Sequence, residues 1–215
     1  MTEIPKTTAG AVYGHGWRQL RRHFGILLGV TVVLVLLGSA FGAGREPEPG
    51  GRDLLRFAYQ VFVYGPLCYG GYFVFLEAAR NNRPSFADLF RGFQDYLNVV
   101  LANLVVWFII GFGFLLLIIP GIIFACKLAF TPYLVMDRKM RAAEAIKESW
   151  RLTRGHAWTV FFIGLLAIPL VLAGLVAFGV GVLVSIMWIS LALASLYLGV
   201  QSLGAENDVS AESGW

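Results

Sequence analysis

The sequence predicts an all-α, polytopic membrane protein of six transmembrane helices, and three observations carry that expectation. Apolar residues make up 58% of the chain and charged residues 14%, and the mean hydropathy of +0.71 lies outside the range of soluble domains. Apolar runs of crossing length recur, where about 20 residues at 1.5 Å each cover the hydrocarbon core. Basic residues gather in alternate loops between those runs. The 215 residues are expected to hold a membrane domain without a separate catalytic one. A pI near 9.2 implies no nucleic acid here, because in a membrane protein the placement of charge matters more than its sum.

Taken in order, residues 10–23 carry Arg18, Arg21 and Arg22 and read as a first surface helix, followed by span one over 24–43. That run is longer than a signal-peptide core, so it is expected to be retained. The loop 44–53, with Pro47, Pro49, Gly50 and Gly51, breaks the helix. Span two covers 54–79, and Gly65-Pro66 at its middle is expected to bend it. In 85–95, Phe86, Leu89, Phe90 and Phe93 recur at helical spacing on one face, which predicts a second surface helix. Spans three and four, 96–119 and 121–136, divide at Pro120-Gly121. The third surface helix, 139–154, places Ala142, Ala145, Ile146, Ser149, Trp150 and Thr153 on one face and an ionic arc from Arg141 to Arg154 on the other. Spans five and six are expected at 157–176 and 179–203, and the acidic tail 204–215 is expected to be disordered.

Six spans put both termini on one side, and the basic residues say which. Thirteen lie in the N-terminal segment and the loops after spans two and four, against Arg45, Arg52 and Arg56 opposite, so both termini are expected to be cytoplasmic. Trp17-Arg18-x-x-Arg21-x-His23 and Trp150-Arg151-x-x-Arg154-x-His156 share four identities in register, each ahead of a span. The segment Leu89 to Tyr96 has the same place without the identities. The architecture therefore reads as three repeated units, each a surface amphipathic helix followed by a transmembrane hairpin. The expected partners are membrane lipids, through anionic head groups of the inner leaflet, and a second copy of the chain or another membrane protein. Trp17, Arg18, Arg21, His23, Trp150, Arg151, Arg154 and His156 are the expected contacts.

Several motifs add a resemblance. Pro120-Gly121-Ile122, the run Pro132 to Asp137, the run Ala143 to Trp150, Gly155-His156-Ala157-Trp158 and Ser85-Phe86-Ala87-Asp88-Leu89-Phe90 resemble the signature of a group of uncharacterised bacterial six-helix integral membrane proteins. That group is similar to the membrane domain fused to some glycerophosphodiester phosphodiesterases. The resemblance implies a protein of the bacterial inner membrane and transfers no catalysis, because the phosphodiesterase activity of fused members belongs to a separate soluble barrel.

No catalytic residue, metal or cofactor is expected. His15, His23 and His156 have no metal-ligand spacing, and Cys68 and Cys126 fall in apolar runs as small hydrophobes. Lys127, a formal charge inside span four, is the sharpest single feature, since an intramembrane charge costs at least about 2.5 kcal/mol. It either snorkels to an interface or forms a polar site with Asn103 of span three. Pro66, Pro132 and Pro169, one per hairpin, are expected kinks whose freed carbonyls could line a cavity. The leading expectation is a non-enzymatic scaffold or accessory subunit. The alternative is a small transporter or lipid-handling permease using the kinked spans and Lys127, with an enzyme acting on lipid head groups third.

Overall fold

The computed structural model describes residues 8–42, 52–154, 156–176 and 180–212. The loop expected at 44–53, the N-terminal residues with Lys6, and Gly155 lie wholly or mostly outside them. Among the described residues all regular structure is helical: α1 (Ala9–Arg22), α2 (Phe24–Gly42), α3 (Arg52–Tyr59), a π-helical turn (Gln60–Tyr64), α4 (Gly65–Ala79), a 3-10 helix (Phe86–Phe93), α5 (Tyr96–Leu116), α6 (Ile118–Leu128), α7 (Thr131–Asp137), α8 (Ala142–Leu152), α9 (Ala157–Val176) and α10 (Val180–Glu212). Five stretches are long and apolar enough to cross a membrane: Leu54–Ala79, Tyr96–Leu116, Ile119–Asp137, Ala157–Leu175 and Gly181–Leu203. A sixth is counted when α1 and α2, bent 97° from one another, are taken together. The chain is a multi-pass helical membrane protein.

The short helices fold back against the spans. α1 crosses α10 where Gly16 lets the backbones meet, since a Cβ there would come within 3.3 Å of the Ala192 nitrogen. Tyr13 fixes the crossing: its hydroxyl donates to the Ile163 carbonyl at 2.9 Å, and its own carbonyl accepts from Trp188 Nε1 at 2.9 Å. Each such bond contributes about 1 kcal/mol net. The 3-10 helix runs back along α4, with the Leu89 backbone on Gly70 and Gly92 on the Pro66 backbone. α8 returns along α7 to α6, where the Ser149 and Thr153 hydroxyls donate to the Lys127 carbonyl at 2.8 and 3.2 Å.

Three expectations need correction. The segment expected as an amphipathic α-helix at 85–95 is a 3-10 helix, capped by Ser85 and Asp88. At three residues per turn Leu89 and Gly92 eclipse and are buried against α4, while Phe90 and Phe93 share an exposed face and the half-exposed Phe86 lays its ring against Gly29 of α2. The turn between spans three and four falls at Leu117, whose backbone is extended, and Pro120 stands in the first turn of α6 where its missing N–H is not needed. Span four runs over Ile119–Asp137 and breaks between α6 and α7, with Pro132 in the first turn of the second. α10 continues to Glu212, through residues expected to be disordered. Extending a formed helix adds a hydrogen bond per residue without a new nucleus, and no proline stops it there.

The spans meet on aromatic rings and one charged cluster. Tyr72 of α4, Tyr133 of α7 and Tyr197 of α10 form a ladder with centroids 5.4 Å apart at each step. Above it Arg80 forks onto Asp137 at 2.6 and 2.7 Å, and the Tyr197 hydroxyl donates to Asp137 Oδ2 at 3.1 Å. This marks the charged end of the bundle. Burial there works to lower the Arg80 pKa, but the hydrogen bonds and charge of Asp137, then those of Glu77, raise it above the ordinary arginine value.

Candidate functional site

Span two shows how a polar site arises inside an apolar bundle. Pro66 has no N–H, so the Phe62 carbonyl four residues earlier loses its usual helical donor. The helix widens into the π-turn, where the Gly65 N–H reaches the Gln60 carbonyl, and the Tyr96 hydroxyl donates to the freed Phe62 carbonyl at 3.0 Å. The proline is thus absorbed without ending the span, which runs on to Ala79.

Beside that turn lies a cavity of about 320 Å³ between α4, α5 and the α6–α7 span. Gln60, Tyr64, Cys68, Tyr69, Tyr72 and Asn103 bring hydrogen-bonding groups to its wall. Trp107, also on the wall, is 64% exposed on the outer surface of the bundle. No lysine, arginine, aspartate, glutamate or histidine lines it. The site can therefore hold a molecule by amide, phenol and thiol contacts, and it has no group poised to act as an acid–base pair. On the other face of α4, a second cavity of about 200 Å³ is bounded by the same Tyr64, Cys68 and Tyr72, together with Thr31 and Ser190. The Thr31 hydroxyl is buried there without a hydrogen-bond partner. Three side chains at four-residue spacing thus form a shared partition.

Of the residues expected to form an intramembrane polar site, the structure brings only Asn103 to this cavity. Lys127 is not among its walls; its ammonium lies over the Trp150 ring, 5.3 Å from the centroid. Asn103 is 8% exposed, with its amide against Gly65. The prolines also differ from one another. Pro66 and Pro132 stand in the first turns of α4 and α7, and only Pro169 lies inside a helix.

The surface-helix residues divide by role. Trp17 packs on Trp188 with centroids 4.9 Å apart, and Trp150 on Phe124 at 5.9 Å. Arg18, Arg21 and Arg154 are exposed, whereas Arg151 forks onto Glu148 at 2.7 and 2.9 Å. His23 Nε2 and His156 Nδ1, equivalent positions of the shared motif, are both buried without a hydrogen-bond partner. Burial and then the Arg22 charge hold the His23 pKa below the usual histidine value. Positions matching across the motif also match in burial: Val12 and Ala145, Gly16 and Ser149, Leu20 and Thr153 are all buried.

Sequence reasoning missed most of the cavity wall. Its signal was present, since Gln60, Tyr64, Cys68 and Tyr72 recur every four residues in an otherwise apolar span. Comparison with known proteins finds no matching family, no matching curated protein and no matching solved structure.

Proposed function

We propose that the chain is a non-enzymatic protein of the bacterial cytoplasmic membrane, of the permease class, that binds an uncharged, hydrogen-bonding molecule in the cavity beside the π-turn. One observation carries this reading: six polar side chains converge on a single cavity within the span region, and none is formally charged. Polar groups facing the interior of a membrane bundle mark substrate pathways. The site differs from the one expected for a permease, because the binding group is the stripe on span two with Asn103 and does not include Lys127. The chain is read as three units, each a short helix and a hairpin, with both termini cytoplasmic. The shared motif with its matched burial supports the first and third units, and the basic loops support the orientation. The short helices, with Arg18, Arg21 and Arg154 exposed, face anionic head groups of the inner leaflet. A scaffold role at the membrane is the second reading.

The test is solute flux in proteoliposomes. A graded series of uncharged polyols is expected to enter faster than in protein-free vesicles, while charged solutes of the same size are not. Asn103→Leu and Tyr64→Phe remove donors from the wall, and each is expected to cut the flux by about two- to tenfold, in line with one lost hydrogen bond to a bound ligand. Lys127→Ala is expected to leave it unchanged. Equal flux with and without the folded protein for every solute would leave the scaffold reading.

A further inference from the structure

A groove of about 880 Å³, separate from the polar cavity, lies between α5 and α8. Its α5 side is a stripe of Leu97, Leu101, Val105 and Ile109, and Ile146 of α8 lines the other side. From Leu97 to Ile109 the stripe follows about 18 Å of helix, long enough to lie beside much of an acyl chain. Leu97, Leu101 and Val105 are exposed on a helix long and apolar enough to cross a membrane, so the stripe opens to the lipid. The same wall carries charge. Lys139, Arg141 and Lys147 line the groove, against one carboxylate, that of Asp95.

Asn98, in the first turn of α5, sets the basic end of the groove. Its amide nitrogen donates to the Met140 carbonyl at 2.8 Å, and its oxygen accepts the Ala142 N–H at 2.8 Å. Lys139 and Arg141, on either side of Met140, are thereby held at the head of the stripe. Lys139 stands there with a left-handed backbone, φ 50°, which residues with a side chain rarely adopt. Other basic residues nearby are matched to acids: Arg138 and Arg151 share Glu148, at 3.8 and 2.7 Å, and Arg80 holds Asp137. Among the described residues none of Lys139, Arg141 and Lys147 makes an ion pair, with Asp95 or with any other acid. Glu144 on α8 accepts the Arg141 backbone N–H at 3.4 Å and is not in the wall. Three like charges around one groove repel each other, and an anion placed among them relieves that repulsion.

We propose that this groove is a binding site for one anionic phospholipid, with the phosphate against Lys139, Arg141 and Lys147 and an acyl chain along Leu97, Leu101, Val105 and Ile109. A free anion would answer the charges and leave the stripe bare. A zwitterionic lipid would cover the stripe and answer the charges poorly. The site is distinct from the general attraction of Arg18, Arg21 and Arg154 to the leaflet, because it holds a single molecule in a shaped wall. The inference needs only the membrane-spanning fold and is independent of what enters the polar cavity.

The test is lipid retention by the full chain, purified in neutral detergent and titrated with phosphatidylglycerol or phosphatidylcholine, with bound lipid counted by native mass spectrometry. Phosphatidylglycerol is expected to bind in preference to phosphatidylcholine. Arg141→Gln and Lys147→Gln are each expected to weaken phosphatidylglycerol about fivefold, the effect of one basic side chain at a head group, and to leave phosphatidylcholine unchanged. Both residues are exposed, so these variants read binding without a folding defect. Arg141→Lys is expected to keep the preference. Arg154→Gln, which removes an exposed cation outside the groove, is expected to leave it unchanged. Leu101→Trp, which crowds the stripe, is expected to weaken both lipids. Equal binding of the two lipids, equal losses from Arg154→Gln and Arg141→Gln, or displacement of phosphatidylglycerol by inorganic phosphate alone would overturn the proposal.

Discussion

Asp137→Ala is expected to loosen the whole bundle. Asp137 keeps 11% of its side chain exposed and takes both arms of the Arg80 fork together with the Tyr197 hydroxyl, so one carboxylate joins α4, α7 and α10. Its removal strands a guanidinium and a phenol between helices. Breaking a fully buried pair costs about 3–5 kcal/mol, and the 28% exposure of Arg80 places this one lower, at about 2–4 kcal/mol. The loss is read as a fall in the unfolding midpoint in detergent. Tyr197→Phe, which deletes one hydrogen bond and keeps the ring stacked on Tyr133, is expected to cost only about 1 kcal/mol. Equal stability of Asp137→Ala and the unaltered chain would mean that the cluster does not hold the spans together.

Gly70→Ala and Gly92→Ala form the second large effect. A methyl group on Gly70 would fall on the Leu89 carbonyl, and one on Gly92 on the Pro66 carbonyl, so the 3-10 helix and α4 approach backbone to backbone. No side chain can rotate away at either place. The element must shift as a body, at a cost of about 3 kcal/mol or more, the upper end of overpacking penalties. Gly111→Ala supplies the contrast, because nothing lies within 4 Å of the added group. It is expected to change stability by less than about 0.5 kcal/mol. Thermal scans of the three variants separate a close helix crossing from a merely flexible glycine.

The spans themselves were legible because long apolar runs have few other fates, and Leu54–Ala79 and Ala157–Leu175 fall within about a residue of the stretches read from composition. Periodicity was less informative where the helix type changed. Phe86, Leu89, Phe90 and Phe93 share a face at 3.6 residues per turn, and at three Leu89 parts from Phe90 and Phe93, which are exposed. The Lys127–Asn103 pairing rested on depth along two helices, which fixes height but says nothing of rotation about each axis. Asn103 turns toward span two, and Lys127 toward Trp150. The wall from Gln60 to Tyr72 was written in the sequence as a four-residue stripe. Its partner across the cavity was not, because that depends on how α5 crosses α4. The Arg80–Asp137 bond likewise joins residues 57 positions apart, with no local pattern to announce it.

The polar cavity is tested most directly by the reactivity of Cys68, which borders the spaces on both faces of α4. In a Cys126→Ser background, a small hydrophilic methanethiosulfonate is expected to modify Cys68 in the folded protein in proteoliposomes, and the modification is expected to block polyol flux. Failure of Cys68 to react until the protein is denatured would mean a closed, dry core and would contradict the account.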